Sequence, residues 1–153
     1  MPLAHREATV VWTGTLGSGQ GTLEANGALN ESTVDWASTD KQADGTTSPE
    51  QLLAASEAGC YAMTLALALQ RRGKPAERLE VNASCELDRA GDRDDHEYRI
   101  TKVLLDVKGT VPDLDQDAFE EIARHADEQC PVSAALRGNV EVELTTALQE
   151  SAS

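Results

Sequence analysis

The stretch SPEQLLAASEAGCYAMTLALALQ, residues 48–70, constrains this chain more than any other. Ser48 is a good N-cap, Pro49 suits the first helical position, and Gln51 completes a capping-box spacing. Gly73, followed by Lys74 and Pro75, supplies the stop. One unbroken helix of roughly 33–36 Å is predicted between these signals. Leu52, Leu53, Met63, Leu65, Leu67 and Leu69 form no single narrow stripe, and alanines with Gly59 fill the gaps between them. A helix that is apolar nearly all round is expected to be buried. Its small residues would let another backbone approach closely.

The rest of the chain supplies what would cover it. REATVVWTG (6–14) is rich in β-branched residues and reads as a strand, and TLEA after a glycine-rich turn reads as its hairpin partner. Residues 30–47 are polar and turn-rich, with room for a short third strand near Thr33–Trp36. Residues 78–87 alternate apolar and polar with period two, the mark of a half-buried strand. A charged turn at 89–96 leads to a second long strand at 97–111. An amphipathic helix over 113–130 presents Leu114, Phe119, Ile122, Ala123 and Ala126 inward. A short helix restarts at Pro131 and ends at Gly138, and 139–148 form a last alternating strand. The order predicts an α+β fold: one domain over residues 1–153, its antiparallel sheet wrapped around a long buried central helix.

Charge narrows the partners. The formal net charge is −14, from 27 acidic and 13 basic residues, which argues against nucleic acid and anionic membrane surfaces. No apolar run looks long and uninterrupted enough to span a bilayer, and MPLAHREATV lacks the apolar region of a signal peptide. A cytoplasmic protein is expected. Its three cysteines, with no CxxC, fit reduced thiols better than a disulfide framework or a zinc site. Its three histidines form no metal-ligand cluster in the sequence.

The cysteines occupy three different contexts. Cys85 shares the apolar side of its strand with Leu79 and Val81, as a small core residue would. Cys130 precedes Pro131 and so takes an N-cap position, where the helix dipole favours thiolate as readily as the site suits an ordinary turn residue. Cys60 lies about a dozen residues inside its helix, beyond reach of that helix's own dipole. Position alone favours an inert, buried thiol there. A functional Cys60 needs a specific cation nearby, and a second thiol could assist it.

TSPEQLLAASEAGCYAMTLALAL, ITKVLLDVKGTVPDLD, CPVSAAL and VEVELTTAL resemble the family of osmotically inducible protein C and the organic hydroperoxide resistance proteins, closer to the OsmC branch. WTG (12–14) and GQGT (19–22) also fit, so the resemblance runs from about residue 8 to residue 148. It implies an intertwined homodimer and a thiol-dependent peroxidase acting on organic hydroperoxides. Carried over by motif, Cys60 is the peroxidatic residue, Cys130 the resolving one, and Glu50 the family's carboxylate. The resemblance implies no bound cofactor, only an external dithiol or lipoyl-type reductant. The family's N-terminal arginine has no counterpart; Lys41, the only basic residue between Arg6 and Arg71, falls near its position. Trp36, Tyr61, Met63 and Phe119 could line an apolar substrate pocket, although core packing is their default.

Glu50 and Cys60 are about 15 Å apart along one straight helix, too far to serve one site within a subunit. Either Glu50 acts elsewhere, as a dipole-complementing residue of the first turn would, or it reaches the Cys60 of a second subunit; the homodimer that the resemblance implies favours two shared sites. Two other readings compete with the peroxidase. A non-catalytic protein of the same fold would bind a hydrophobic ligand at the dimer interface. A cysteine hydrolase would need a histidine in a motif that pairs with Cys60, and none is present.

Overall fold

Thr9–Thr13 (β1), Gln20–Glu24 (β2) and Ser32–Val34 (β3) form an antiparallel sheet in the order β1-β2-β3 in the computed structural model. The structure describes residues 1, 3–25, 27–36, 45–89 and 98–151. The chain divides into two units, Met1–Leu52 and Leu53–Ser153.

In the first unit, the β1–β2 register runs from Thr9 opposite Glu24 to Thr13 opposite Gln20. The connecting turn depends on Gly19. A side-chain carbon there would lie 2.4 Å from the Thr13 carbonyl oxygen and 2.5 Å from that of Thr15, so no other residue fits without moving backbone. Val34 bridges to Thr47, and Ser48 then caps the first helix, Pro49–Arg71 (α1). The Gln51 N–H donates to Ser48 Oγ at 3.2 Å, as the capping pattern predicts. The Gln51 side chain accepts from Thr47 Oγ1 (3.3 Å), which ties the cap to the residue before it.

The second unit contains most of α1, then Arg78–Arg89 (β4), Tyr98–Thr110 (β5), Gln116–Gln129 (α2), Pro131–Leu136 (α3) and Glu141–Gln149 (β6). β4 and β5 pair antiparallel from Arg78 opposite Thr110 to Arg89 opposite Tyr98, with a bulge between Glu86 and Leu87. β6 pairs with the other edge of β5 in parallel, from Lys102 opposite Glu141 to Thr110 opposite Gln149. This corrects the expectation of a purely antiparallel sheet. Parallel neighbours need a crossover of about a dozen residues or more, and the two helices between β5 and β6 provide it. α2 starts at Asp115, whose carboxylate accepts from the Ala118 N–H at 2.8 Å.

The core of this unit joins Tyr61, Leu65 and Leu69 of α1 to Leu105 and Val107 of β5 and to Phe119, Ile122, Ala123 and Ala126 of α2. Gly109 lets the Phe119 ring approach β5 closely, since a side-chain carbon there would be 2.5 Å from the ring.

The helix expected to be buried all round is not buried that way within one chain. Its fully buried residues, Glu57, Tyr61, Leu65 and Leu69, recur every fourth position and trace one stripe. Met63 (71% exposed) and Leu67 (45% exposed) lie outside that stripe. Nor does the expectation that no run could span a bilayer hold, because α1 is long and apolar enough by length and composition. Its buried stripe nevertheless opens with Glu57, a carboxyl held among protein groups.

Candidate functional site

Cys60 and Cys130 are 70 residues apart in sequence and meet in the second unit. The Cys130 thiol donates to Cys60 Sγ at 3.3 Å. Each position follows from local rules. Cys60 is one residue before Tyr61, so it flanks the buried stripe of α1 and remains partly accessible. Cys130 ends α2 with its N–H donating to the Asp127 carbonyl and simultaneously begins α3 ahead of Pro131. Proline cannot continue α2 and suits the first position of a new helix. The chain therefore bends at Cys130, which is fully buried.

A second contact repeats the first. Glu57 precedes Cys60 by three residues on α1, and Ser133 follows Cys130 by three on α3. Residues three apart on a helix are neighbours on one face. The Ser133 hydroxyl donates to Glu57 Oε1, and both side chains are fully buried. Two cross-helix contacts, thiol to thiol and hydroxyl to carboxyl, thus hold α1 and α3 together. Glu57 Oε2 is buried with no hydrogen-bond partner.

Charge around the pair is organised by Asp127 and Arg137. Arg137 donates to Asp127 Oδ2 at 2.9 Å and to the Asp127 carbonyl at 3.3 Å. Burial raises the Glu57 pKa, the Ser133 hydrogen bond opposes that rise, Asp127 adds to it, and the Arg137 charge reduces it. Burial also raises the Cys60 pKa. The Val132 backbone N–H works against this, whereas the Cys130 thiol and the Glu57 carboxyl reinforce it. The groups surrounding Cys60 therefore favour its thiol form on balance, with Val132 favouring the thiolate.

A cleft of about 360 Å³ in the second unit is lined by neighbours of both cysteines in the chain, though by neither cysteine itself. Thr64, Leu67, Ala68, Arg71, His125 and Pro131 are among its lining residues. Thr64 is one turn beyond Cys60 and donates its hydroxyl to the Cys60 carbonyl (2.9 Å), and Pro131 adjoins Cys130. Apolar wall and basic groups occur together in this cleft.

The remaining candidates lie as follows. Glu50 is half-buried in the first turn of α1 and belongs to the first unit, as does half-buried Trp36. Lys41 lies outside the described residues. Tyr61 and Phe119 are fully buried in the core of the second unit, with the Tyr61 hydroxyl donating to the Ala123 carbonyl at 2.9 Å, while Met63 is exposed. Burial pushes the Tyr61 pKa well above its ordinary value. Among the described residues, no three His, Cys, Asp or Glu side chains are grouped to hold a metal ion.

Glu57 and Ser133 were not singled out by sequence reasoning. The signal was there: a carboxyl three residues before one cysteine, a hydroxyl three residues after the other, each within a predicted helix.

The stretch of chain that holds this site is similar to known proteins. The OsmC-like protein family model matches residues 41–145. The chain is 30% identical to peroxiredoxin OsmC of Escherichia coli (strain K12), over 89% of this chain and 92% of that protein. It is 32% identical to organic hydroperoxide resistance protein-like 2 of Staphylococcus epidermidis, over 71% of this chain and 72% of that protein. The crystal structure of the organic hydroperoxide resistance protein OhrB of Bacillus subtilis superposes with a TM-score of 0.74 at 27% identity, covering 95% of this chain and all of that one. The family match over residues 41–145 and the similarity to these relatives show that the chain belongs to the OsmC/Ohr family.

Proposed function

We propose that this protein is a thiol-dependent peroxidase that reduces organic hydroperoxides through Cys60 and Cys130. The observation that carries the reading is the 3.3 Å approach of the two sulfurs across two helices. Its relatives include one named a peroxiredoxin and others named for organic hydroperoxide resistance.

The chemistry follows from the arrangement. The Cys60 thiolate attacks the distal peroxide oxygen, the O–O bond breaks, and an alcohol leaves. Cys60 is left as a sulfenic acid. Cys130 condenses with it, releasing water and forming a disulfide, which an external dithiol reduces by exchange. Cys130 needs little movement to bond, so the sulfenic acid is captured before further oxidation. The alkyl part of the substrate would occupy the cleft beside Thr64 and Pro131, whose apolar wall favours organic peroxides over hydrogen peroxide.

By resemblance, Glu50 would hold a cation at the Cys60 thiolate of a second subunit, with Lys41 as the candidate cation. The open face of α1, with Met63 and Leu67 exposed, suits contact with a second copy of this chain. Lipoyl-type dithiols are the proposed reductant class, consistent with a cytoplasmic protein. The cleft also gives the alternative reading its footing: a hydrophobic ligand carrier would use the same apolar wall without thiol turnover.

Variant assays separate the two. Under the peroxidase reading, Cys60→Ser abolishes cumene hydroperoxide turnover, and Cys130→Ser lets Cys60 oxidise to a trappable sulfenic acid but stops recycling. Turnover that survives Cys60→Ser would sink the reading. Saturable ligand binding without wild-type turnover would favour the carrier.

A further inference from the structure

We propose that Glu57 is the proton carrier of the dithiol, taking the proton of the Cys60 thiol and returning it to the alkoxide that leaves the peroxide. The inference rests on the peroxidase reading and adds a residue to it.

Three observations converge on Glu57. It occupies the α1 face one turn before Cys60, where side chains at this spacing are neighbours. One carboxyl oxygen is fixed by the Ser133 hydroxyl, while Oε2 is fully buried with no partner. A buried, unpartnered carboxyl oxygen is costly unless it serves a proton or a ligand. Finally, the surroundings of Cys60 leave its thiol in need of a base. Burial, Cys130 and Glu57 itself all oppose a free thiolate. That opposition from Glu57 vanishes once Glu57 holds the proton.

The transfer balances. The Cys60 proton passes to the Glu57 carboxylate, giving thiolate beside a neutral carboxylic acid. The thiolate sulfur bonds to the distal peroxide oxygen, which keeps its hydrogen. The O–O bond breaks, and its electron pair leaves with the alkoxide. Glu57 protonates the alkoxide to the alcohol and is again a carboxylate. The net change is thiol plus hydroperoxide to sulfenic acid plus alcohol. Burial raises the proton affinity of Glu57 above that of an ordinary carboxyl, which suits it to hold a proton in transit. Among the described residues, Asp127, Arg137, Cys130 and Tyr61 are charged or titratable groups around this face. Asp127 is neutralised in part by Arg137, and Tyr61 is committed to the Ala123 carbonyl.

The active form carries one proton on two coupled groups, so the rate should follow two apparent pKa values that belong to the pair. The test is the pH profile of single-turnover oxidation by cumene hydroperoxide in wild type, Glu57→Gln, Glu57→Asp and Ser133→Ala. A bell is expected in wild type, rising as the first proton leaves the pair and falling as the second does. Glu57→Gln keeps an acceptor for Ser133 but cannot carry the proton. Its profile should be a single limb rising with thiol ionisation, with a neutral-pH rate lower by about 100-fold. Glu57→Asp should restore a bell at reduced height. Ser133→Ala should keep the bell with its acid limb moved to higher pH, because the Ser133 hydrogen bond lowers the Glu57 pKa. A wild-type profile with one limb, or a Glu57→Gln profile that matches wild type, would overturn the proposal. The wild-type profile decides even if a variant does not fold. Wild type that forms no Cys60–Cys130 bond at all would instead refute the peroxidase reading beneath it.

Discussion

Oxidation should make this protein markedly harder to unfold, and the size of the effect can be worked from the position of the two thiols. Cys60 and Cys130 lie 70 residues apart in the chain. Closing a loop of that length removes roughly 15 cal/mol/K of entropy from the unfolded chain, or about 4 kcal/mol at room temperature. The native state already holds the two sulfurs in contact, so little of that gain should be lost to rearranging α1 and α3. For a chain of this size, each kcal/mol moves the melting temperature by roughly 2–4 °C, so the oxidised form should melt about 8–16 °C higher. The assay is calorimetry or urea unfolding of reduced and peroxide-treated protein at one concentration, with Cys60→Ser treated in parallel. Holding concentration fixed removes any contribution from subunit association. Cys60→Ser should show no shift. Oxidised wild type that carries the Cys60–Cys130 bond yet melts at or below the reduced form would refute the reasoning, since the bond would then be distorting the fold that places the sulfurs together.

Other predictions follow from single contacts. Gly109→Ala would put a methyl 2.5 Å from the buried Phe119 ring; urea unfolding should show a loss of about 1–3 kcal/mol. Tyr61→Phe removes the donor to the Ala123 carbonyl and should cost about 0.5–1.5 kcal/mol in the same assay. Glu57 gives stability a pH dependence of definite sign. Its folded pKa lies above the ordinary value of 4.5, so its contribution is complete below that value and is lost as pH rises through the folded value. Wild type should lose stability over that window in a pH series of melts, and Glu57→Gln should lack that component.

Much of the fold is legible in the sequence because its signals are local. Ser48, Pro49 and Gln51 mark the start of α1, and Gly73 with Pro75 marks its end, since capping and chain-breaking act over a few residues. The period-two alternation of Leu79, Val81, Ala83 and Cys85 marks β4 in the same way. The parallel pairing of β6 was not legible. Alternation says which face of a strand is buried and nothing about its direction relative to a neighbour. The burial of α1 was overestimated for a related reason: composition shows an apolar surface but not which element covers it. Within the candidate site, the roles of Cys60 and Cys130 came from resemblance to a family, and position along the helix pointed to an inert Cys60. What position could not show was the approach of α3, which brings a second thiol, the Val132 N–H and the Ser133 hydroxyl across to α1. Glu57 escaped notice because a glutamate within an alanine-rich helix reads as a solvated residue until a facing helix is known to cover it.

The most direct test of the central claim is single-turnover oxidation of the fully reduced protein by cumene hydroperoxide and, separately, by hydrogen peroxide. Thiols are counted and the bonded cysteines mapped by mass spectrometry. The account predicts rapid loss of two thiols to one Cys60–Cys130 bond, faster with the organic peroxide, with Cys85 left free. Slow oxidation without that bond, or a bond that includes Cys85, would contradict it.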